Sequence, residues 1–185
     1  MQSMIDSQFV IFPIIIGLIV VVVVCKKRKT KLSRTLLFLA LTVYIGIVIA
    51  ITLFPIPINV YYPSSSIRYN IIPFNSILTE ISQAQRPGFW WVYMRGVIGN
   101  ILMFVPLGLM LPLLSEKMKK PLRAIITILI CSALIELTQL VMGFCLGNFY
   151  RAFDVDDIIL NTVGGVLGYL TFLLGSRAAR VFTQK

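Results

Sequence analysis

Five long apolar stretches, separated by short charged segments, constrain the fold of this chain more than any other feature. They cover approximately residues 9–25, 36–58, 97–114, 124–146 and 158–175. A helix needs about 20 apolar residues to cross the roughly 30 Å hydrocarbon core of a bilayer, and each stretch is close to that length. Because 58% of the residues are hydrophobic and only 13% are charged, an ordinary soluble domain is excluded. The sequence predicts an all-α integral membrane protein, a bundle of five transmembrane helices forming a single membrane domain over residues 1–185.

The positive charges lie in alternate segments between these stretches. Six Lys and Arg fall in 26–34, four in 115–123 and three in the tail 176–185, whereas the other segments together hold only four. The positive-inside rule therefore places the N-terminus outside and the C-terminus inside. In a soluble protein a net charge of +10 would favour nucleic acid as a partner. Because the charges here flank apolar spans, we expect membrane lipids as partners and no nucleic acid.

The long segment 55–96 between the second and third stretches is rich in aromatic residues. These are Tyr61, Tyr62, Tyr69, Phe74, Phe89, Trp90, Trp91 and Tyr93. Aromatic side chains concentrate at the headgroup level of a bilayer. The sequence thus predicts an interfacial segment that lies on, or dips into, the outer leaflet.

The sequence lacks the residues or motifs that several common kinds of site require. With no histidine, the chain lacks the usual general base and the commonest metal ligand. The three cysteines form no CxxC pair and are typical of packing residues. An EF-hand is excluded because the twelfth position counted from Asp154 is Gly165 rather than Glu. No metal site, cofactor or catalytic residue is predicted.

The fourth stretch carries a polar stripe. Ser132, Glu136 and Gln139 follow one another at helical one-face spacing. An ionisable residue inside a membrane span needs polar partners and marks a functional site by default. The alternative for Glu136 is a protonated carboxyl group, hydrogen-bonded to a neighbouring amide, with a purely structural role.

The third and fifth stretches carry matching stripes. Asn100 lies in the third, and Asp157 and Asn161 lie at the start of the fifth. In the fifth stretch they are followed on the same face by Gly164 and Gly168, a GxxxG motif that lets helix backbones approach closely. We expect the three stripes to face one another, although the two asparagines could simply join helices by hydrogen bonds.

Charged residues lie at the expected outer mouth of these stripes. Arg151 and Asp154 precede the fifth stretch. Asp154 could serve only as a helix N-cap, and Arg151 could pair with it at the surface. The functional interpretation is an outward-facing polar cleft with Glu136 near its floor. This cleft would be formed by Asn100, Ser132, Glu136, Gln139, Arg151, Asp154, Asp157 and Asn161.

Four motifs resemble those of the VanZ family. They are NIIPFNSI at 70–77, GNILMFVPLG at 99–108, SALIELTQ at 132–139 and RAFDVDD at 151–157, the last followed by Asn161 and the glycines at 164–168. The resemblance covers approximately residues 35–175 and departs from the family pattern at Ile71, where Leu is common. It implies a multi-pass protein of a Gram-positive plasma membrane and low-level resistance to lipidated glycopeptides such as teicoplanin. It carries over no catalytic residues.

Three functions remain open on the sequence. The first is a non-enzymatic protein whose cleft binds an amphiphile, either the lipoglycopeptide or a lipid-linked cell-wall precursor. The second is a membrane enzyme that modifies a lipid-linked headgroup at the outer leaflet, using carboxylates and a divalent cation held by Asp154 and Asp157. The third is a transporter, which the odd number of spans and the lack of a repeat disfavour.

Overall fold

A computed structural model describes residues 3–58, 69–84, 90–146 and 153–183. Within these ranges five helical segments are long and apolar enough to cross a membrane, which confirms the predicted five-helix membrane protein. They are Ser7–Lys27, Leu32–Leu53, Met94–Leu114, Pro121–Leu146 and Val155–Ala179. Large apolar side chains are exposed along all five segments, as expected where lipid rather than water surrounds a helix.

The regular elements follow a simple order. The long helices are α1 (Ile11–Lys27), α2 (Leu32–Leu53), α4 (Trp90–Leu114), α5 (Pro121–Leu146) and α6 (Val155–Thr183), with a shorter helix α3 (Asn75–Ala84) between α2 and α4. Short strands are β1 (Ser3–Ile5), β2 (Ile56–Ile58), β3 (Tyr69–Asn70) and β4 (Phe153–Asp154). Single 3-10 turns lie at Ser7–Val10 and Glu116–Lys119.

The second helix is shorter than the apolar stretch that predicts it. The stretch continues to residue 58, but α2 ends at Leu53 and Phe54 is already extended. A residue that precedes proline disfavours the helical conformation, and Pro55 and Pro57 both follow within four positions. The chain instead forms β2, which pairs antiparallel with β1.

The chain divides into two compact units, and the single membrane domain stays a prediction. The first unit comprises Met1–Ser65 with Val141–Tyr150, and the second comprises Ser66–Leu140 with Arg151–Lys185. In the first unit α1 packs closely on α2, because Gly46 of α2 leaves room for the Ile14 side chain of α1. A Cβ at Gly46 would lie only 2.3 Å from that side chain.

In the second unit α4 and α6 approach each other backbone to backbone. A Cβ atom at Gly164 would lie 1.9 Å from the Ile101 carbonyl oxygen, and one at Gly168 would lie 2.0 Å from the Val105 carbonyl oxygen. The part of α5 up to Leu140 packs on the same helix, since a Cβ at Gly165 would lie 2.5 Å from the Ile128 side chain. Helices α4, α5 and α6 thus form the framework that positions the polar residues described next.

The orientation of the termini and the interfacial placement of the aromatic segment stay predictions. Tyr61, Tyr62 and Phe89 lie outside the described residues. Within the same segment the structure adds the ten-residue helix α3, which the sequence pattern alone did not delimit.

Candidate functional site

The second unit brings the four resembling motifs to one place. Strands β3 and β4 pair in parallel, so that Tyr69 lies opposite Phe153 and Asn70 opposite Asp154. This pairing sets the segment 69–77 beside the start of α6. Helices α4 and α5 contribute Asn100 and Glu136 to the same region through the hydrogen bonds described below.

Asp156 anchors helix α3 although it belongs to α6. Its side chain is only 1% exposed. The carboxylate accepts the backbone N–H groups of Phe74, Ser76 (2.8 Å) and Ile77 (3.1 Å), which lie at and just before the first turn of α3. These N–H groups have no partner inside a helix, and an anion at a helix N-terminus is also favoured by the helix dipole. Asp156 therefore caps α3 from another element of the fold.

Asn70 and Asp154 form a second link between the same two segments. The Asn70 Nδ2 donates to Asp154 Oδ1 at 2.8 Å and to Ser76 Oγ at 3.0 Å. Asp154 Oδ1 also accepts the backbone N–H of Asp156 at 2.8 Å, the geometry expected of a residue at the N-terminus of α6. This contact agrees with the N-cap alternative for Asp154. The same oxygen, Oδ1, therefore accepts both from the start of α6 and from Asn70.

The intramembrane acid Glu136 joins this network from α5. Its side chain is 2% exposed, and its Oε2 accepts the backbone N–H of Asp154 at 3.1 Å. Gln139 is also buried, one turn further along α5. Glu136 thus holds the turn that contains Asp154 and Asp156, so that one acid positions the backbone next to two others.

Two amide side chains bridge the helices below this turn. Asn100 on α4 donates to the Asp157 carboxylate on α6. Asn161 on α6 donates through Nδ2 to Ser132 Oγ on α5 at 2.9 Å. Ser132 and Asn161 are both fully buried, and the Asn161 Oδ1 atom has no hydrogen-bond partner among the residues that the structure describes.

The structure therefore gathers most of the residues that the sequence analysis predicted. Arg151 lies outside the described residues. In the described parts of the chain, no group of three or more His, Cys, Asp or Glu side chains is arranged to hold a metal ion. Seven predicted residues lie in this one region, namely Asn100, Ser132, Glu136, Gln139, Asp154, Asp157 and Asn161.

Glu80 on α3 is a member of the region that the sequence pattern did not single out. A Cβ at Gly96 on α4 would lie 3.5 Å from Glu80 Oε2, so the carboxylate lies against α4. Burial raises the pKa of Glu80 above its ordinary value of 4.5, and the negative charges of Asp154 and Asp156 raise it further. The acids at this end of the second unit thus repel one another.

The opposite side of α3 is apolar and exposed. This apolar face of α3 and of the loop before it consists of Ile71, Ile72, Phe74, Leu78 and Ile81. Helix α3 is therefore amphipathic, with Glu80 toward the acids and aliphatic side chains away from them. Two features of the sequence indicate this amphipathic helix. They are the helical spacing of residues 74, 78 and 81 and the position of Asn70 at the start of the motif 70–77.

Comparisons with known proteins agree with the motifs. The family model described as VanZ/LLP1 matches residues 38–176, which is most of the chain. A search of curated proteins and a search of solved structures each found no match.

Proposed function

The chain belongs to the VanZ-like family of multi-pass membrane proteins, and on this premise we propose that it gives a bacterial cell low-level resistance to lipidated glycopeptides such as teicoplanin. It does so by binding an amphiphile, either the drug itself or a lipid-linked cell-wall precursor, at the outer face of the plasma membrane. The binding region is the acidic end of the second unit together with the apolar face of α3.

One observation carries this proposal: acids and exposed aliphatic side chains lie on opposite sides of one short helix. Glu80 faces Asp154 and Asp156, and its pKa is raised first by burial and then by the negative charges of these two aspartates. A cationic group placed beside Glu80 would relieve that repulsion. Leu78 and Ile81 are more than half exposed on the other side of α3, where an acyl chain can pack.

This arrangement explains why a lipid tail would decide the effect. Each buried methylene group contributes about 0.8 kcal/mol to binding. An acylated glycopeptide thus gains binding free energy from the apolar face of α3 that a glycopeptide without the acyl chain lacks. The acids would add attraction for the cationic group but less affinity than the acyl chain, because the cation loses hydration when it approaches the partly buried Glu80.

The contacts of the aspartates favour binding over metal-assisted chemistry. Asp154 accepts from Asn70, Asp156 accepts from three backbone N–H groups, and Asp157 accepts from Asn100. These carboxylates already stabilise the protein's own segments. We therefore place the membrane-enzyme alternative second, and we expect the activity of the protein to be insensitive to chelators.

The test is drug susceptibility in a sensitive Gram-positive host, with the proteins at matched membrane levels. Empty vector, the wild type, Glu80→Gln and Glu116→Gln are compared against teicoplanin, de-acylated teicoplanin and vancomycin. Glu116 is the matched control because it is highly exposed and forms a surface ion pair with Lys119, at 2.7 Å. We expect the wild type and Glu116→Gln to protect against the acylated drug alone, and Glu80→Gln to protect less.

Two outcomes would contradict the proposal. Absence of protection by the wild type removes the resistance function for this protein. Equal protection against teicoplanin and its de-acylated form removes the role of the apolar face, since the acyl chain would then contribute nothing.

A further inference from the structure

Helix α4 carries an open groove that the proposed function does not use. Its volume is about 650 Å³, within the range of roughly 300–1,000 Å³ that is usual for small-molecule sites. Arg95 lies in the groove, five residues before Asn100, which places the two about 140° apart around the helix axis. The groove is therefore on a different face of α4 from the polar network. The described residues that line it are Trp91, Met94, Arg95, Ile98, Gly99 and Leu102.

Gly99 opens the middle of this groove. Among the described residues, a Cβ built at Gly99 would meet no atom within 4 Å, whereas one at Gly108 on the same helix would lie 1.8 Å from the Gly165 carbonyl oxygen. Gly108 thus serves close packing of α4 on α6, and Gly99 does not serve packing of this kind against the described residues. What Gly99 leaves is free space on the helix surface, between Arg95 and Leu102.

Arg95 supplies an uncompensated positive charge at one end of the groove. It is exposed, and among the described residues its guanidinium takes part in no ion pair. An arginine side chain stays protonated and offers a planar set of donors that matches the oxygens of a phosphate. The groove therefore favours an anionic phosphate group at Arg95.

The residues that line the groove change along the helix from polar to apolar, in the same order as the headgroup, phosphate and acyl chain of a phospholipid. Trp91 is three-quarters exposed at the first turn, and tryptophan favours the headgroup level of a bilayer. Arg95 follows one turn later, and then Ile98 and Leu102 present exposed aliphatic surface. The distance along the axis from Arg95 to Leu102 is roughly 10 Å, at 1.5 Å per residue.

We propose that this groove binds an anionic phospholipid of the surrounding bilayer. The phosphodiester lies at Arg95, and one acyl chain crosses the space at Gly99 and packs on Ile98 and Leu102. A single guanidinium matches the single negative charge of a phospholipid with an uncharged headgroup, such as phosphatidylglycerol. A zwitterionic phospholipid fits less well, because its headgroup brings a positively charged ammonium group close to Arg95. The site is separate from the acidic region and requires the opposite ligand charge.

Tryptophan fluorescence provides a direct test, because the two tryptophans of the chain are Trp90 and Trp91. The purified full-length protein is reconstituted in bilayers that contain small mole fractions of phosphatidylglycerol or phosphatidylcholine with brominated acyl chains, which quench indole on contact. We expect half-maximal quenching at an about tenfold lower mole fraction of the brominated phosphatidylglycerol, the ratio that corresponds to one charge-assisted contact.

Two pairs of variants locate the effect. Arg95→Gln should abolish the preference for phosphatidylglycerol, whereas Arg177→Gln, at an exposed arginine on α6, should keep it. Gly99→Leu should fill the groove and reduce quenching by both lipids. Gly175→Leu should not, although a Cβ at Gly175 also meets nothing within 4 Å.

Equal quenching of the wild type by both brominated lipids overturns the proposal without any variant, so it stays testable even if a variant fails to fold. Survival of the wild-type preference in folded Arg95→Gln, or of wild-type quenching in folded Gly99→Leu, also overturns it. The quenching experiment does not measure resistance, so its failure leaves the drug-susceptibility result unaffected.

Discussion

Asp156 accepts the backbone N–H of Ser76 at 2.8 Å, although the two residues lie 80 positions apart in the chain. The same carboxylate accepts the N–H groups of Phe74 and Ile77, so one buried side chain of α6 fixes the start of α3. The apolar face of α3 is held in place by this contact. The proposed binding region therefore depends on an acid that need not touch the ligand.

Replacing Asp156 should release α3. In Asp156→Asn the side chain keeps one oxygen acceptor but loses its charge and its second acceptor. We expect the free energy of unfolding to fall by about 2 kcal/mol or more, because hydrogen bonds to a charged group contribute about 1.5–3 kcal/mol. Thermal unfolding in detergent measures this change, and limited proteolysis within residues 70–84 should become faster. The control is Asp6→Asn, since the Asp6 side chain accepts from neighbouring Ser7 at an exposed site. Equal stability of Asp156→Asn and the wild type would contradict the capping role.

A single methyl group at Gly164 should separate α4 from α6. The added Cβ would lie 1.9 Å from the Ile101 carbonyl oxygen, and neither backbone can move away cheaply. We expect Gly164→Ala to lower the free energy of unfolding by about 3 kcal/mol or more, at the upper end of overpacking costs. Unfolding in mixed detergent measures the loss. Gly175→Ala is the matched control because its Cβ would meet no atom of the described residues within 4 Å. A comparable loss in both variants would exclude close packing as the cause.

Glu80 should make the stability of the protein depend on pH. Its folded-state pKa is raised above 4.5 by burial and by the charges of Asp154 and Asp156. Between 4.5 and the raised pKa the folded state binds more protons than the unfolded state, so the Glu80 contribution to stability falls as pH rises through that window. Above the window the ionised carboxylate destabilises the folded state.

We therefore expect Glu80→Gln to melt at a higher temperature than the wild type at pH 7–8 and at nearly the same temperature below 4.5. Thermal unfolding across this pH range measures the difference, with Glu116→Gln as the exposed control. A difference that is constant with pH, or that grows toward acid pH, would contradict the assignment of the raised pKa to Glu80.

Two substitutions at Glu136 should separate its hydrogen bond from its charge. In the wild type the Asp154 N–H donates to Glu136 Oε2 at 3.1 Å. Glu136→Gln retains an oxygen that can accept this N–H. Glu136→Leu leaves this N–H without that acceptor, which costs about 1 kcal/mol, the lower end of the range for a buried donor, because the hydrogen bond is only partly buried. We expect the yield of folded protein from membranes and the melting temperature to decrease in the order wild type, Gln, Leu. If Leu equals the wild type, Glu136 does not support the turn before α6.

The sequence is enough to predict the membrane class and the five helices, because hydropathy and span length are local properties of the chain. It also placed Asn100, Glu136 and Asn161 on polar helix faces, since helical spacing fixes which residues share a face. Which groups those faces meet depends on how the helices and strands pack together. Nothing in the spacing shows that Asp156 caps α3 rather than its own helix, or that Glu80 lies beside it. These contacts join residues about 80 positions apart, and they exist because β3–β4 pairing and the close packing of α4 on α6 bring distant segments together.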